Sequence, residues 1–503
     1  MADADRIEKL NQIKKLGINP YPYSFNQTHH AVDTTDKFAE LENKKVSVAG
    51  RVMSIREHGK LAFVDLHDVS GKVQIWISED NVGKKLFDLL HLIERGDFVG
   101  VNGTVVKTKR GEISVKATSF EILTKALRHL PSTWFGLKDT ELRYRMRYVD
   151  LILNPEVRKL FVIRTKIIDA IREFLNERKY LEVETPILQM IYGGAAAHPF
   201  ETMLRDLKLK VYLRTSNELY LKRLLVGGFE RVYEFSKDFR NESIDSTHNP
   251  EFTIVESYEA YADRDKIADL FEQLYAYVAK KVLGTTKIMF QGRTIDVGKW
   301  KRVKMTDAIK EKYKIDVLKM SKKELEKFAR EKKAEITGDE TEGELINAIF
   351  ETFDKEIFEP TLIMGHPIET TPLCKPDRND KSARFVERFE PYIAGMELGN
   401  AYSELNDPIL QRKLLEQQLG TRCIAKEAWT CELDEDFVRA LEYGMPPTGG
   451  IGISIDRMTM LFTDNPSIKE VIFFPFMAPT PEELHKHKKG EKKEEKKSKK
   501  KEK

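Results

Sequence analysis

The sequence predicts two folded units in series, a small closed β-barrel and then a larger α+β domain built on an antiparallel sheet flanked by helices. Three observations carry this reading. Over 46–123 the chain breaks into five short alternating runs, VSVAGRVMSI, KLAFVDLHD, KVQIWIS, DFVGVNGTVVKT and EISVKATSFEIL, separated by Gly, Asp and Ser, with a helix-like KKLFDLLHLI after the third. Over 231–261 two runs with β-like alternation flank the polar loop NESIDSTHNP, as in an antiparallel pair with a long turn. Further on, YGMPPTGGIGISIDRMTMLFT joins a glycine-rich strand to an apolar helix opened by Arg457.

Composition sets the outer bounds. At 503 residues, with 41% hydrophobic and 33% charged, the chain is long enough for two or three domains with sizeable cores. No apolar run approaches the ~20 residues of a membrane span, so no membrane association is expected. The start MADADRIEKLNQIKKLG lacks a signal core and is too acidic for a transit peptide. Cys374, Cys423 and Cys431 are odd in number and form no CxxC, which argues against disulfides or zinc and for the cytoplasm. The net charge of +3 is unevenly spread: from His485 onward eleven lysines face four glutamates. Residues 481–503 therefore read as a disordered basic tail that can attract a phosphate backbone, or another polyanion, without reading sequence.

Residues 1–45 hold a helix over 5–17, with Ile7, Leu10, Ile13 and Leu16 at helical spacing and Pro20 and Pro22 beyond it. Residues 46–127 form the barrel, of the oligonucleotide-binding type. Such barrels stack bases on exposed aromatics beside a basic groove, which makes Phe63 a stacking plate, Gln74 a hydrogen-bonding reader and Arg51 a phosphate or base contact. By pattern alone, Phe63 in FVDL fits the core better. An arginine-rich linker is expected over 128–155 and the larger domain over 156–480. There Leu160, Ile163, Ile167, Ile171 and Phe174 mark one face of a helix, and Pro186 closes the short strand of LEVETPIL. YGGAAAHPF strips side chains so that a backbone can approach a ligand, or simply makes a tight turn. Glu218 stands where YLRTSNELYLKRLLVGGF turns from strand to helix, a place where a carboxylate also suits the helix dipole. The lysine- and glutamate-rich 262–360 reads as a mostly helical insertion without chemistry.

In the 231–261 pair, period-two geometry puts Val232, Glu234, Ser236, Asp238 and Arg240 on one face and Tyr233, Phe235 and Phe239 on the core side. Phe252, Ile254, Glu256 and Tyr258 share a face of the second run. Paired antiparallel, Arg240, Phe252, Glu256 and Tyr258 would look into one cleft suited to a nucleotide and a cation; the alternative is a hairpin with a solvated face. Asn400, Tyr402 and Glu404 alternate onto one face, and Glu397, of opposite parity, needs a bulge near Gly399 to join them. The spacing G-x-G-x-x-x-x-R ending at Arg457 is neither a dinucleotide fingerprint nor a P-loop.

FRNE, a loop, HNPEFT and E-x-Y-x-AYAD together resemble the second signature motif of class II aminoacyl-tRNA synthetases, and in detail their lysine-specific branch. The helix and strand before Pro186 resemble the first motif, and the glycine-rich strand with Arg457 resembles the third; the likeness runs from about Arg6 to Pro479. It implies ATP-dependent activation of L-lysine to lysyl-adenylate, transfer to the 3′ end of tRNA(Lys), and a homodimer formed through 160–190. It also implies Mg²⁺, about three ions per site, with Glu390 and Glu397 as metal carboxylates. The likeness gives Arg240 the substrate carboxylate and α-phosphate, and Phe252 with Arg457 a sandwich for adenine. Glu242 would take the adenine amino group, and His248 and Arg457 the outer phosphates, with Glu390 also at the nucleotide. Gly194 and Glu218 fall at the α-amino end of lysine, Asn400 at the carboxylate, and Tyr258, Tyr402 and Glu404 at or near the ε-ammonium, with Glu256 close by. In the barrel it makes Phe63, Gln74, Arg51 and Glu112 anticodon contacts. The lysine reading further requires that no other basic side chain already holds Glu404. His198, Ser243 and Ser454 depart from the family's usual residues, and Ser454 would crowd the nucleotide's backbone contacts. A ligase acting on another acceptor, or a silent RNA-binding regulator, are the competing readings.

Overall fold

Alternation and punctuation build the first unit, Met1–Leu137. The computed structural model describes residues 2–131, 138–195, 197–424, 433–481 and 484–485. Helix α1 (Ala4–Lys15) precedes strands β1 (Lys45–His58), β2 (Leu61–His67), β3 (Lys72–Ser78), β4 (Phe98–Lys107) and β5 (Ile113–Thr124), which close into a barrel in the order β1-β2-β3-β5-β4. Ala62, Val64 and Leu66 of β2 and Val73, Ile75 and Ile77 of β3 point into its core. Strands β3 and β5 run parallel, so the chain needs a crossover, and the helix Lys84–Leu89 with buried Phe87 and Leu89 lies within it. α1 buries Leu10 and Ile13 while Ile7 and Leu16 stay exposed. The expected apolar stripe is thus half used, and Arg6 is buried in its place, donating to the carbonyls of Arg95 at 2.9 Å and Ala126 at 3.1 Å.

The second unit, Lys138–Lys503, opens with two short helices, Thr140–Arg145 and Arg147–Leu153. Much of the expected 128–155 linker is therefore structured: Arg143 grips Glu470 through two bonds of 3.1 and 3.0 Å, and buried Arg147 pairs with Asp150 at 2.6 Å. Next come α2 (Pro155–Glu177), β6 (Leu181–Glu182), α3 (Glu218–Val226), β7 (Arg231–Phe239), β8 (Glu251–Ala260) and α4 (Arg264–Leu283). The sheet is completed by β9 (Lys301–Lys304), β10 (Thr361–Met364), β11 (Arg388–Ile393), β12 (Met396–Glu397), β13 (Gly399–Ser403) and β14 (Thr448–Ser454), which leads into α5 (Ile455–Phe462). The strand order is β9-β10-β11-β13-β14-β8-β7-β6, with β12 on β11; pairing is antiparallel inside and parallel at both edges.

Helices α2, α4 and α5 cover one face of this sheet, with Ile167, Ile171, Phe271, Tyr275, Met458 and Leu461 in a single core. The expected insertion over 262–360 is thereby corrected at both ends. α4 is a core helix, buried through Ile267, Phe271, Leu274 and Val278, and β9 belongs to the main sheet. Only the helices Met305–Tyr313, Lys322–Glu331 and Glu342–Glu351 gather around a separate core. The opposite face of the sheet is buried too, but by polar groups: Glu234, Ser236 and Asp238 are more buried than Phe235 and Phe239. Neither the solvated-face alternative nor a fully apolar core side for Phe239 describes β7. Beyond His485 the expected basic tail lies outside the described residues, as do Cys431 and the side chain of Cys423.

Candidate functional site

A cavity of about 240 Å³ opens over that polar face. Strands β7 and β8 pair with Asp238 opposite Phe252 and Glu234 opposite Glu256, so Phe252, Ile254, Glu256 and Tyr258 line it in succession, with Arg240 just beyond β7. β13 and β14 pair with Asn400 opposite Gly452 and Tyr402 opposite Gly450, which brings Asn400, Tyr402 and Glu404 to the same cavity. The glycines of β14 make this possible, since a Cβ on Gly450 would overlap Glu404 Oε1 and the Tyr258 ring. Glu397 reaches the cavity because the strand breaks at Leu398 between β12 and β13; Gly399, crowded by the Gly452 carbonyl, follows the break.

One end of the cavity is a cluster of buried acids. Glu218, Glu256 and Glu404 are 5%, 6% and 0% exposed. Glu218 Oε1 accepts from the Tyr402 hydroxyl and from Lys222 Nζ, each at 2.6 Å. Tyr258 donates to Glu256 Oε2 at 2.9 Å, and Ser216 to Oε1 at 3.3 Å. Lys222, fully buried, also contacts Glu404 Oε2. The expectation that no basic side chain holds Glu404 is thus corrected, yet the pairing uses one oxygen, and Oε1 lies against Gly450 at the cavity wall.

Glu218 and Glu404 share one ammonium while Glu256 meets only hydroxyls among the described residues, and the titration behaviour follows. Burial raises Glu404, Lys222 pulls it back and Glu218 raises it again, leaving it at about 8. Burial, then repulsion from Asp238 and Glu218, lifts Glu256 well above the usual carboxyl range. Burial opposes the Lys222 charge, but Glu218 and Glu404 outweigh it and raise the ammonium above its ordinary value. Lys222 is therefore the fixed charge and Glu404 the partner that titrates. Gly194 lines the same end with φ +83°, and a Cβ there would stand 2.9 Å from Ser216 Oγ.

At the other end Arg240 lies with its guanidinium 5.0 Å from the Phe252 ring centroid, and its buried Nε has no hydrogen-bond partner. Arg240 thus covers one face of the ring, and an adenine sandwiched between Phe252 and Arg457 would take the other. Arg457 turns to Glu397, donating to its carbonyl and standing 3.8 Å from its carboxylate. Glu242, Ser243 and His248 line the outer rim, and His248 Nδ1 is 2.8 Å from Asp245. Ser454 has a structural task, its hydroxyl capping α5 by accepting from the Arg457 amide at 3.2 Å. His198, exposed, accepts the Asn241 amide at 2.8 Å through its carbonyl.

Glu390 stands behind the cavity, held by Arg388 and by the Tyr392 hydroxyl at 2.9 Å. Among the described residues no group of three His, Cys, Asp or Glu side chains could cage a metal ion. Glu397 is raised by burial and by Glu390 and pulled back by Arg457, Arg388 and Arg240. Two carboxylates with incomplete neutralisation fit magnesium only where a nucleotide's phosphates supply further oxygens.

In the barrel Phe63 faces outward, opposite Trp76 across β2 and β3, with ring centroids 6.5 Å apart. Gln74 is outward as well, its Oε1 accepting from Ser114 at 3.0 Å, and Glu112 is exposed in the turn before β5. Arg51 donates to the Gly96 carbonyl at 2.8 Å and lies 4.3 Å from the Phe98 centroid. The bulge between Val52 and Ser54 keeps it on the outer face, opposite His67 and on the same parity of β2 as Phe63, while Arg56 pairs opposite Phe63 itself. Arg56 thus joins that group.

Sequence reasoning missed Lys222, Arg388 and Ser216. The Glu218-to-Lys222 spacing of one helical turn was a signal for the first. Arg388 shares strand parity with Glu390, and its Nε donates to Asn400 Oδ1 at 2.8 Å, which fixes the amide of Asn400.

Residues 139–478 match the family described as tRNA synthetases class II (D, K and N), and residues 46–123 match the OB-fold nucleic acid binding domain. The chain is 48% identical over 482 residues to the lysine–tRNA ligase of Moorella thermoacetica, covering 95% of this chain and 98% of that protein. The lysine–tRNA ligase of Carboxydothermus hydrogenoformans is 48% identical over 94% of this chain and 97% of its own length. That of Clostridium acetobutylicum is 47% identical over 95% and 93%. With a class II sheet, a nucleic-acid-binding barrel and relatives this similar over nearly its full length, the chain belongs to the lysine–tRNA ligase family of class II tRNA synthetases.

Proposed function

We propose that the cavity over β8, β13 and β14 activates L-lysine with ATP and that the chain then charges the 3′ end of tRNA(Lys). The observation that carries the choice of amino acid is the acid cluster: Glu218 and Glu404 share the Lys222 ammonium, and Glu256 beside them is met by the hydroxyls of Ser216 and Tyr258. A ligand with two ammonium groups supplies the missing positive charge; a neutral side chain would leave buried carboxyls unbalanced. Glu218 and Gly194 take the α-amino end, while Glu404 Oε1 and the Tyr258 hydroxyl, with Glu256 behind it, take the ε-ammonium. Tyr402 holds Glu218 for this task.

The lysine carboxylate is already anionic, so it attacks the α-phosphate without a general base, and pyrophosphate leaves. Catalysis is positioning and charge neutralisation. Arg240, with its unpartnered Nε, can bind the carboxylate and an α-phosphate oxygen together, as a planar guanidinium does well. Asn400, held by Arg388, orients the same carboxylate. Phe252 offers a surface to adenine, Glu242 an acceptor for its amino group, and His248 and Arg457 donors for the outer phosphates. Glu397, backed by Glu390, would hold magnesium together with those phosphates; when bound, the ion neutralises the triphosphate.

Phe63, Gln74, Arg51 and Glu112, with Arg56 beside Phe63, form the barrel face that meets the anticodon. Exposed Leu181, Ile187, Leu188 and Met190 support a homodimer through 160–190, and the buried thiol of Cys374 supports a reducing cytoplasmic setting. Pyrophosphate exchange with each of the twenty amino acids tests the assignment. Lysine alone should drive exchange without tRNA, and labelled lysine should pass to tRNA and not to protein. Exchange with another amino acid, or none at all, refutes it.

A further inference from the structure

The mechanism leaves one buried charge without a task. Lys222 is on α3, one turn after Glu218, its ammonium fully buried and 5.4 Å from the Tyr402 ring centroid. It contacts Glu218 Oε1 and Glu404 Oε2, so it touches both acids assigned to the two ends of the substrate. Those acids arrive from opposite parts of the chain, Glu218 at the start of α3 and Glu404 just after β13, where it bridges Cys374. Lys222 is the only cationic side chain recorded in contact with either of them among the described residues. Two carboxyls this close, in a buried site, would otherwise repel one another with no cation between them to fix their positions.

We propose that Lys222 is a positioning residue for amino acid selection: its ammonium, anchored on Glu218, fixes the Glu404 carboxyl through Oε2 and leaves Oε1 free for the substrate's side-chain ammonium. This rests on the reading of Glu404 as the ε-ammonium acceptor. The substrate does not displace Lys222; it binds the oxygen on the other side of the same carboxylate. Ornithine, shorter by one methylene, should reach Glu404 Oε1 less well once Glu218 holds its α-amino group.

The test uses the full chain carrying Lys222→Met, Glu404→Gln, or both, in lysine-dependent pyrophosphate exchange. Lys222→Met should raise KM for lysine at least roughly thirty-fold, as loss of one partner in a buried charge pair does. It should leave KM for ATP within about two-fold and narrow the preference for lysine over ornithine. Because Lys222 acts through Glu404, the double variant should bind lysine little worse than Glu404→Gln alone. Should Lys222→Met prove unfolded by its melting curve, Lys222→Gln, which keeps a donor and removes the charge, is measured in the same way. A folded variant with parental KM for lysine, an equal loss for lysine and ATP, or penalties that multiply in the double variant overturns the proposal. The reading beneath it fails separately, if Glu404→Gln alone leaves KM for lysine unchanged.

Discussion

The barrel face and the catalytic cleft both present polar and aromatic side chains from strand positions of one parity, but they hold them differently. On the barrel, Phe63 and Trp76 face outward, Glu112 is exposed, and the ion pair between Arg56 and Asp65 at 3.2 Å is half solvated. In the cleft, Glu218, Glu256 and Glu404 are buried and bound to Lys222, Tyr402, Tyr258 and Ser216. Water screens and competes with contacts on the first surface, whereas on the second every charge must be answered by another group. The cleft should therefore discriminate by orders of magnitude and fail abruptly. The barrel should lose affinity by small steps.

The largest expected effect lies where charge develops. Arg240→Ala should lower lysine-dependent pyrophosphate exchange by about 10² to 10³-fold, the scale for losing one preorganised donor. Turnover should suffer more than KM for ATP, because Phe252 and the rim residues still bind the nucleotide. A fall in ATP affinity with unchanged turnover would move Arg240 out of the reacting centre.

Glu404→Gln comes next, with KM for lysine rising ~100-fold and KM for ATP nearly unchanged. The same carboxyl sets a pH dependence. Its value of about 8 in the empty site means that the folded chain holds a proton there below that pH, while binding an ammonium requires the carboxylate. KM for lysine should therefore climb by up to about ten-fold per unit as pH falls below 8, with the slope abolished in Glu404→Gln. Between the ordinary carboxyl value and 8 the folded state binds the extra proton. Stability without lysine should thus fall as pH rises through that window, and saturating lysine should restore it. Melting curves from pH 5 to 8.5, with and without lysine, measure both.

Strand parity made much of this legible. Arg240, Phe252, Glu256 and Tyr258 could be placed in one cleft because β7 and β8 pair without a break, and Asn400, Tyr402 and Glu404 because β13 is regular. Parity failed where the strands are irregular. The bulge in β1 put Arg56 beside Phe63 while keeping Arg51 on the same face, and a one-residue shift in register around Leu398 and Gly399 let Glu397 in. Local pattern was also silent on partners far apart in sequence, such as the Tyr402 hydroxyl on Glu218, 184 residues away. Lys222, within one turn of Glu218, read as an ordinary helix pair because nothing nearby showed that Glu404 would descend onto it. The insertion was overestimated for the same reason, since α4 looks like any amphipathic helix until the sheet beneath it is known.

On the barrel the expected losses are smaller. Phe63→Ala should raise KM for tRNA about ten-fold, the worth of one stacked base, and leave exchange without tRNA at the parental rate. Any loss of tRNA-independent exchange would mean that the substitution disturbs the second unit, and the contrast between the two surfaces would fail. The smallest effect belongs to the basic tail. A chain ending at Pro479 should bind tRNA about three-fold more weakly at low salt and indistinguishably at high salt, since its lysines contribute by releasing counterions rather than by reading bases. The slope of log affinity against log salt should flatten relative to the full chain, while Phe63→Ala shifts the line without changing its slope. Equal slopes for all three proteins would remove the tail from tRNA binding and leave the barrel face as the sole contributor on that side of the comparison.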